Sequence, residues 1–365
     1  MRGVNWLGDA VMTTPALLRL RQACPAAHIS LLVHEKLGEL WHRHPAVNEV
    51  LTYSRRESVW QVSRRLRRGK FTQALVLPNS PRSALEVFLA GIPQRIGYAR
   101  PWRTWMLTHP VAPRPEAVKM HKRSVAEIKQ LIAGAALGSN IPQPAIPPGA
   151  HQIHEYLHLV AAVGADARPL APGLAAVPFA ETGLAQFFTA GSQRRGCFIG
   201  LNPGAEYGPA KRWPGESFAA AANELYRRLD CEFLIFGGPA DLALTEQVRA
   251  QLTVPQAHGH VTSLAGRTGL GELMSALKIC RVLITNDTGP MHLAAALGTS
   301  VVVPFGSTSP ELTGPGLPGD PRHRLLKSDA PCAPCFLREC PIDFRCLRGI
   351  TPDRVVSAVM QIVAL

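Results

Sequence analysis

Residues 202–214 read NPGAEYGPAKRWP and follow directly on the apolar run Cys197 to Leu201. A buried strand therefore ends in a loop holding two glycines, an acid and the adjacent pair Lys211 and Arg212, a composition suited to an anionic ligand. The same pattern recurs downstream, where the run Arg281 to Thr285 leads into NDTGPMHLAAALG at 286–298. Each reads as strand, turn and helix start. In open α/β sheets ligands bind beyond the carboxyl ends of the strands, so the two loops are expected to face one nucleotide-diphosphate site. Neither G-x-G-x-x-G nor G-x-x-x-x-G-K-[ST] is present, which argues against dehydrogenase and P-loop chemistry.

Outward from these loops, short apolar runs alternate with amphipathic stretches. In the amino-terminal half Ile29 to Val33 and Ala74 to Leu77 read as strands, Val59 to Arg67 and Arg82 to Ala90 as helices. In the carboxy-terminal half strands are expected at 197–201, 232–236, 281–285 and 300–304, with helices at about 215–229, 240–251, 271–278 and 290–297. Such alternation predicts an α/β protein built on parallel sheets. The proline-rich stretch SNIPQPAIPPGA at 139–150 reads as loop, 151–164 resumes helical periodicity, and the breakers at 168–183 mark the preferred boundary. Two similar α/β halves result, 1–168 and 169–365, with the final helix a candidate to pack back on the first.

Composition narrows the class. The 365 residues are 46% hydrophobic, enough for two cores. No apolar run of membrane-spanning length and no secretory pattern at the amino terminus is apparent, so the protein is expected in the cytoplasm. The formal charge of +13 calls for an acidic partner. The densest basic stretch, RRESVWQVSRRLRRGK at 55–70, is either a solvated helix face or a patch that rests on anionic lipid headgroups. Recognised nucleic-acid modules and stacking aromatic runs are missing, so no nucleic-acid partner is expected. Cys24, Cys197, Cys231 and Cys280 read as small core residues. Cys332, Cys335, Cys340 and Cys346, spaced C-x2-C-x4-C-x5-C, are either a structural zinc or iron–sulfur site or four reduced thiols.

The chemistry is expected in three loops. Asp287 and Thr288 are suited to cap a helix, Gly289 lets a backbone approach closely, and Pro290 suits the first helical position. Free N–H groups at that helix start favour a phosphate, with His292 in the first turn facing it; a capped helix without a ligand is the plain alternative. Gly204 and Gly208 free the preceding loop, and Lys211 supplies charge for a departing diphosphate without a metal. In NWLGDAVMTTPALLRLR at 5–21, Gly8 reads as a turn and Asp9 as an N-cap before an apolar face through Val11, Leu17 and Leu18. At the edge of a nucleotide cleft, Asp9 is also a candidate general base.

NWLGDAVMTTPAL, LPNSPRSAL at 77–85, GIPQRIGY at 91–98, PGAEYGPAKRWP and NDTGPMHLAAALG together resemble the lipopolysaccharide heptosyltransferases of glycosyltransferase family 9, over nearly the whole chain and in the family's order. The resemblance implies a GT-B fold, two Rossmann-like domains facing a central cleft, and an inverting, metal-independent glycosyl transfer with no cofactor. The donor would be ADP-L-glycero-D-manno-heptose. The acceptor would be the first heptose of a lipid-linked inner core that carries phosphate and carboxylate groups, reached from the inner-leaflet membrane surface as a peripheral protein. Asp9 and Lys211 are then the catalytic candidates. Gly204, Ala205, Glu206, Tyr207, Lys211, Arg212, Asp287, Thr288, Gly289 and His292 match donor-binding positions, and Asn5, Trp6, Asn79 and Arg82 acceptor-binding ones. Alternatives are another heptosyltransferase of the family or a basic nucleic-acid-binding protein.

Two departures stand out. Family members begin with an apolar strand ahead of the Asn-Trp-Leu-Gly-Asp segment, whereas here four residues precede Asn5, so the first central strand is expected to be nearly missing. A translation start upstream of Met1 is the favoured explanation; a longer product no more stable or active would count against it. In FGGPADLALTEQV at 236–248, where the resemblance implies an acid that grips the ribose, Asp241 is the nearby candidate.

Overall fold

A computed structural model describes residues 1–136, 146–188, 197–254 and 260–364. Most of the proline-rich stretch, 139–145, lies outside the described residues. The chain divides into two compact units, Met1–Ala117 with Gly149–Ala175, and Val118–Pro148 with Ala176–Leu365. The boundary expected from the sequence lies between Arg168 and Pro169, whereas the chain up to Ala175 packs with the first unit and 118–148 falls in the second.

In the first unit β1 (Ser30–His34) pairs in parallel with β2 (Glu49–Tyr53), and β3 (Gln73–Val76), β4 (Gln94–Tyr98) and β5 (His109–Val111) form a second parallel ladder. The opening residues join them. Arg2 bridges Leu32 on one side and Val76 on the other. Gly3 N–H donates to Leu32 O and Arg2 N–H to Leu75 O, each at 2.8 Å. The slot of the expected first central strand is thus occupied by a short segment, giving the order β2, β1, Met1–Val4, β3, β4, β5. Counting from the first segment, that is 3-2-1-4-5-6, the dinucleotide-fold order. α1 (Leu7–Met12) and α2 (Thr14–Ala23) follow the first segment, α3 (Val59–Arg68) and α4 (Pro81–Leu89) follow β2 and β3, α5 (Val125–Ala136) belongs to the second unit, and α6 (Ile153–Ala161) packs on α2.

Two helical expectations change here. The helix after Asn5 is broken at Thr13 into α1 and α2, and Leu18 is half-buried. Its cap is Trp6 rather than Asp9, which sits two residues inside the first turn. A carboxylate in a first turn is favoured by the exposed N–H groups as well as at the cap, so local composition does not separate the two positions.

The second unit repeats the order with six strands: β6 (Phe198–Asn202), β7 (Glu232–Ile235), β8 (Val261–Ser263), β9 (Cys280–Thr285), β10 (Ser300–Phe305) and β11 (Arg324–Lys327), arranged β11-β10-β9-β6-β7-β8 and parallel throughout. Its helices are α7 (Gly215–Arg228), α8 (Leu242–Ala250), α9 (Leu270–Ile279), α10 (Gly289–Ala296), the short α11 (Pro310–Thr313) and α12 (Arg345–Arg348), and α13 (Pro352–Val363). Ile199, Leu201, Val282 and Ile284 from the central strands meet Phe218 and Leu225 of α7 and Val355, Val359 and Ile362 of α13 in one buried cluster. Complete burial of such a side chain is worth about 1.5–3 kcal/mol. The final helix belongs to this unit, packed on α7, β9, β10 and β11.

Candidate active site

In the second unit β6 and β9 are neighbours, yet their onward connections lead to opposite sides of the sheet, β6 toward β7 and β9 toward β10. This is the switch point at which α/β sheets open a crevice, and both ligand-type loops leave the sheet there. Asn286, fully buried, joins them: its side-chain amide donates to Pro203 O at 2.7 Å and its Oδ1 accepts from Trp213 N–H at 2.9 Å. One strand residue earlier, Asn202 Nδ2 donates to Thr285 Oγ1 at 2.9 Å.

The pairing puts the two charged candidates in contact. Lys211 Nζ lies 2.6 Å from Asp287 Oδ2, with both side chains largely buried. Thr308 Oγ1 donates to the same oxygen at 2.6 Å. Asp287 is therefore the counterion of Lys211 and not a helix cap. The cap of α10 is Thr288, without a side-chain hydrogen bond, and Pro290 is the second helical residue after Gly289. His292, buried in the fourth helical position, lies at the end of that first turn.

Glycine positions show why the 203–212 loop reads as it does. A Cβ at Gly204 would fall 2.5 Å from the Asp241 carboxyl group. Asp241 accepts from Gly238 N–H at 3.1 Å and stands 3.7 Å from Arg212, so this acid is brought against the loop. Gly208 has a φ of 148° and a Cβ there would meet Arg338 O at 2.5 Å. The Lys211 ammonium and the Arg338 guanidinium both approach the Tyr207 ring, at 4.7 and 5.1 Å. Ala205 is buried and Glu206 exposed. Thr308, Asn286, Asn202, Trp213 and Arg338 were not singled out in the sequence; the asparagines at both strand ends were the available signal.

In the first unit the segment Asn5–Asp9 leaves the sheet at the corresponding switch point, between β1 and β3. Asp9 is half-buried, and Gln152 Nε2 donates to its Oδ1 at 3.2 Å while also donating to Tyr156 Oη at 3.0 Å. Burial, then the neighbouring Asp9 carboxylate, pushes the Tyr156 hydroxyl well above the ordinary tyrosine range. Asn5 accepts from Tyr53 Oη at 2.7 Å, and Tyr53 Oη accepts from Arg2 Nη2 at 2.6 Å. Arg2 in turn pairs with the fully buried Glu86 at 2.8 Å, and Glu86 with Arg82 at 3.0 Å. Asn5 and Arg82 are thus tied to one network through Arg2 and Glu86, neither of which local spacing marks. Arg82 also donates to Glu57 O at 2.7 Å. Trp6 and Asn79 are exposed.

Cys332, Cys335, Cys340 and Cys346 line one small cavity together with Ile128 and Ile342. All four are free thiols, and burial raises Cys332, Cys335 and Cys346, the last to about 12. Among the described residues no three His, Cys, Asp or Glu side chains are arranged to hold an ion.

Comparison with known proteins shows what the chain is similar to. The family model described as glycosyltransferase family 9 (heptosyltransferase) matches residues 59–344, which leaves the Asn5–Asp9 loop outside the matched segment. The lipooligosaccharide heptosyltransferase 2 of Haemophilus ducreyi is similar at 30% identity, over 99% of this chain and 98% of that protein. The lipopolysaccharide heptosyltransferase 2 of Escherichia coli K12 is 28% identical over 86% of this chain and 84% of its own. The solved structure of E. coli ADP-heptose lipopolysaccharide heptosyltransferase II is similar with a TM-score of 0.77 and 26% identity, covering 100% of this chain and 97% of that one.

Proposed function

The chain belongs to glycosyltransferase family 9, and from that membership we infer that it moves a heptose from ADP-L-glycero-D-manno-heptose to the first heptose of the lipopolysaccharide inner core. The protein is a glycosyltransferase with a GT-B fold, each unit a Rossmann-like sheet. The observation that carries the mechanism is the Lys211–Asp287 pair, held where the second unit's strand order reverses.

The donor's diphosphate takes the start of α10 and Lys211. N–H groups at a helix start favour phosphate, and a fixed ammonium stabilises charge as it develops on the leaving group. Asp287 and Thr308 hold that ammonium in place before the donor arrives. Asp241, held by the Gly238 N–H and given room by the missing side chain of Gly204, accepts a hydrogen bond from a ribose hydroxyl. Gly204, Ala205, Glu206, Tyr207 and Arg212 form the loop over the donor, with Thr288, Gly289 and His292 opposite.

The first unit supplies the acceptor's chemistry. Asp9 takes the proton of the acceptor hydroxyl, and that hydroxyl's oxygen attacks the anomeric carbon as the bond from that carbon to the β-phosphate oxygen breaks. ADP leaves and the anomeric configuration inverts. Gln152 orients the Asp9 carboxylate. Asn5, Trp6, Asn79 and Arg82 contact the acceptor, with no metal or other cofactor required. The acceptor is lipid-linked, so the protein works in the cytoplasm, peripheral on the inner leaflet of the inner membrane. Following heptose from ADP-heptose into a core acceptor that ends in one heptose, with the new linkage read for inversion, tests this reading; retained configuration would overturn it.

A further inference from the structure

The helix layer on one face of the first unit has an outer surface that the transfer chemistry does not use. α3 buries Val62, Ser63 and Leu66, with Ser63 Oγ donating to Glu86 O of α4 at 2.9 Å. Its opposite side, at helical spacing, carries Trp60, Arg64, Arg67 and Arg68, all exposed. Trp60 is 67% exposed. The surface continues across α4. Arg67 Nη2 donates to Leu89 O at 2.6 Å, and Phe88 meets Trp105 edge to face at 5.2 Å. Trp105 is 66% exposed.

Charge is one-sided here. Between Arg55 and Lys70 seven basic residues face one acid, Glu57, whose carboxylate is taken by Arg65 at 3.0 Å. Among the described residues no carboxylate pairs with Arg64 or Arg68. A solvated basic face has no use for two large indoles in water, whereas the headgroup layer of a bilayer favours both: indole rings at the apolar–polar boundary and guanidinium groups against lipid phosphates. Among the described residues no helix is long and apolar enough to cross a membrane, so contact of this kind is surface contact.

We propose that the outer face of α3 and α4, with Trp60, Arg64 and Arg68 of α3 and the adjoining Trp105 against Phe88 as its anchors, docks on an anionic lipid bilayer. The proposal rests on the reading that the acceptor is lipid-linked, and it assigns the membrane contact to residues apart from the donor and acceptor machinery.

The test uses the full chain and vesicles of phosphatidylcholine with or without phosphatidylglycerol. Binding is expected to the phosphatidylglycerol vesicles alone, falling with salt, and to weaken roughly 30-fold in Arg64→Gln/Arg68→Gln, from about 1 kcal/mol per basic residue near an anionic surface. Brominated lipid is expected to quench tryptophan fluorescence in the parent and less in Trp60→Ser/Trp105→Ser. Both variants should keep turnover on a delipidated, water-soluble acceptor and lose it on the vesicle-embedded one. Equal vesicle binding by parent and variants, or tighter binding of duplex RNA through the same arginines, would overturn the proposal. Absent turnover on the soluble acceptor, with vesicle binding as expected, would instead strike the transfer reading and leave the docking face standing.

Discussion

Lys211 Nζ sits 2.6 Å from Asp287 Oδ2, joining residues 76 positions apart at the reversal of strand order in the second unit. Each residue comes from the loop after its own strand, and buried Asn286 fixes the separation of those loops. A lysine whose position is set before the ligand arrives spends little on reorganisation when charge develops, which is the condition under which an electrostatic contact accelerates a reaction.

The roles assigned to Lys211 and Asp9 separate kinetically. Lys211→Ala should lower turnover by roughly 10²–10³ and weaken ADP binding. Asp9→Asn should lower turnover by about 10²–10⁴ with ADP affinity nearly kept. Calorimetric ADP titrations beside turnover distinguish them; equal loss of ADP affinity in both variants counts against the assignment.

Gly204→Ala places a methyl group 2.5 Å from the Asp241 carboxyl group. The carboxylate must swing away, losing the Gly238 N–H bond and the approach to Arg212. ADP affinity is expected to fall about tenfold, equivalent to one net hydrogen bond, with thermal stability less affected. An unchanged ADP dissociation constant would remove Asp241 from the donor site.

The two loops at the second unit's switch point were legible because strand-exit glycines and helix starts are local signals. The 202–214 and 286–298 loops needed a few residues each to declare themselves. What was not legible is pairwise. Asp287 suits a cap on local grounds, and its actual partner is fixed by β6 and β9 lying side by side. Likewise Arg2 and Glu86 are 84 residues apart, and nothing in the spacing of either announces the other. Segment 118–148 joins the second unit through contacts such as Arg123 N–H to Cys335 O and Ile128 against Cys332, equally invisible to periodicity.

Glu86→Ala leaves Arg2 buried without its carboxylate. Loss of one partner from a buried pair costs about 3–5 kcal/mol, so urea unfolding of the first unit should shift to markedly lower concentration, with Glu86→Gln intermediate. A midpoint unchanged in Glu86→Ala would show that the Arg2–Glu86 pair does not stabilise the first unit.

His44 and His323 give the protein an acid limit. Burial lowers each to about 4, from an unfolded value near 6.5. Between those values the unfolded chain binds more protons than the folded one, so stability is full above about pH 6.5 and is lost as pH falls toward 4. Chemical denaturation across that window should show the decline, and His323→Gln should flatten it. A decline equally steep in His323→Gln would place its origin elsewhere.

The proposed function rests on transfer to the first heptose. Incubation with ADP-heptose and EDTA, using purified inner-core acceptors that end in no heptose or in one, tests it most directly. Heptose should pass to the one-heptose acceptor and leave the heptose-free acceptor unchanged. Transfer to the heptose-free acceptor, or transfer that EDTA abolishes, would contradict the account.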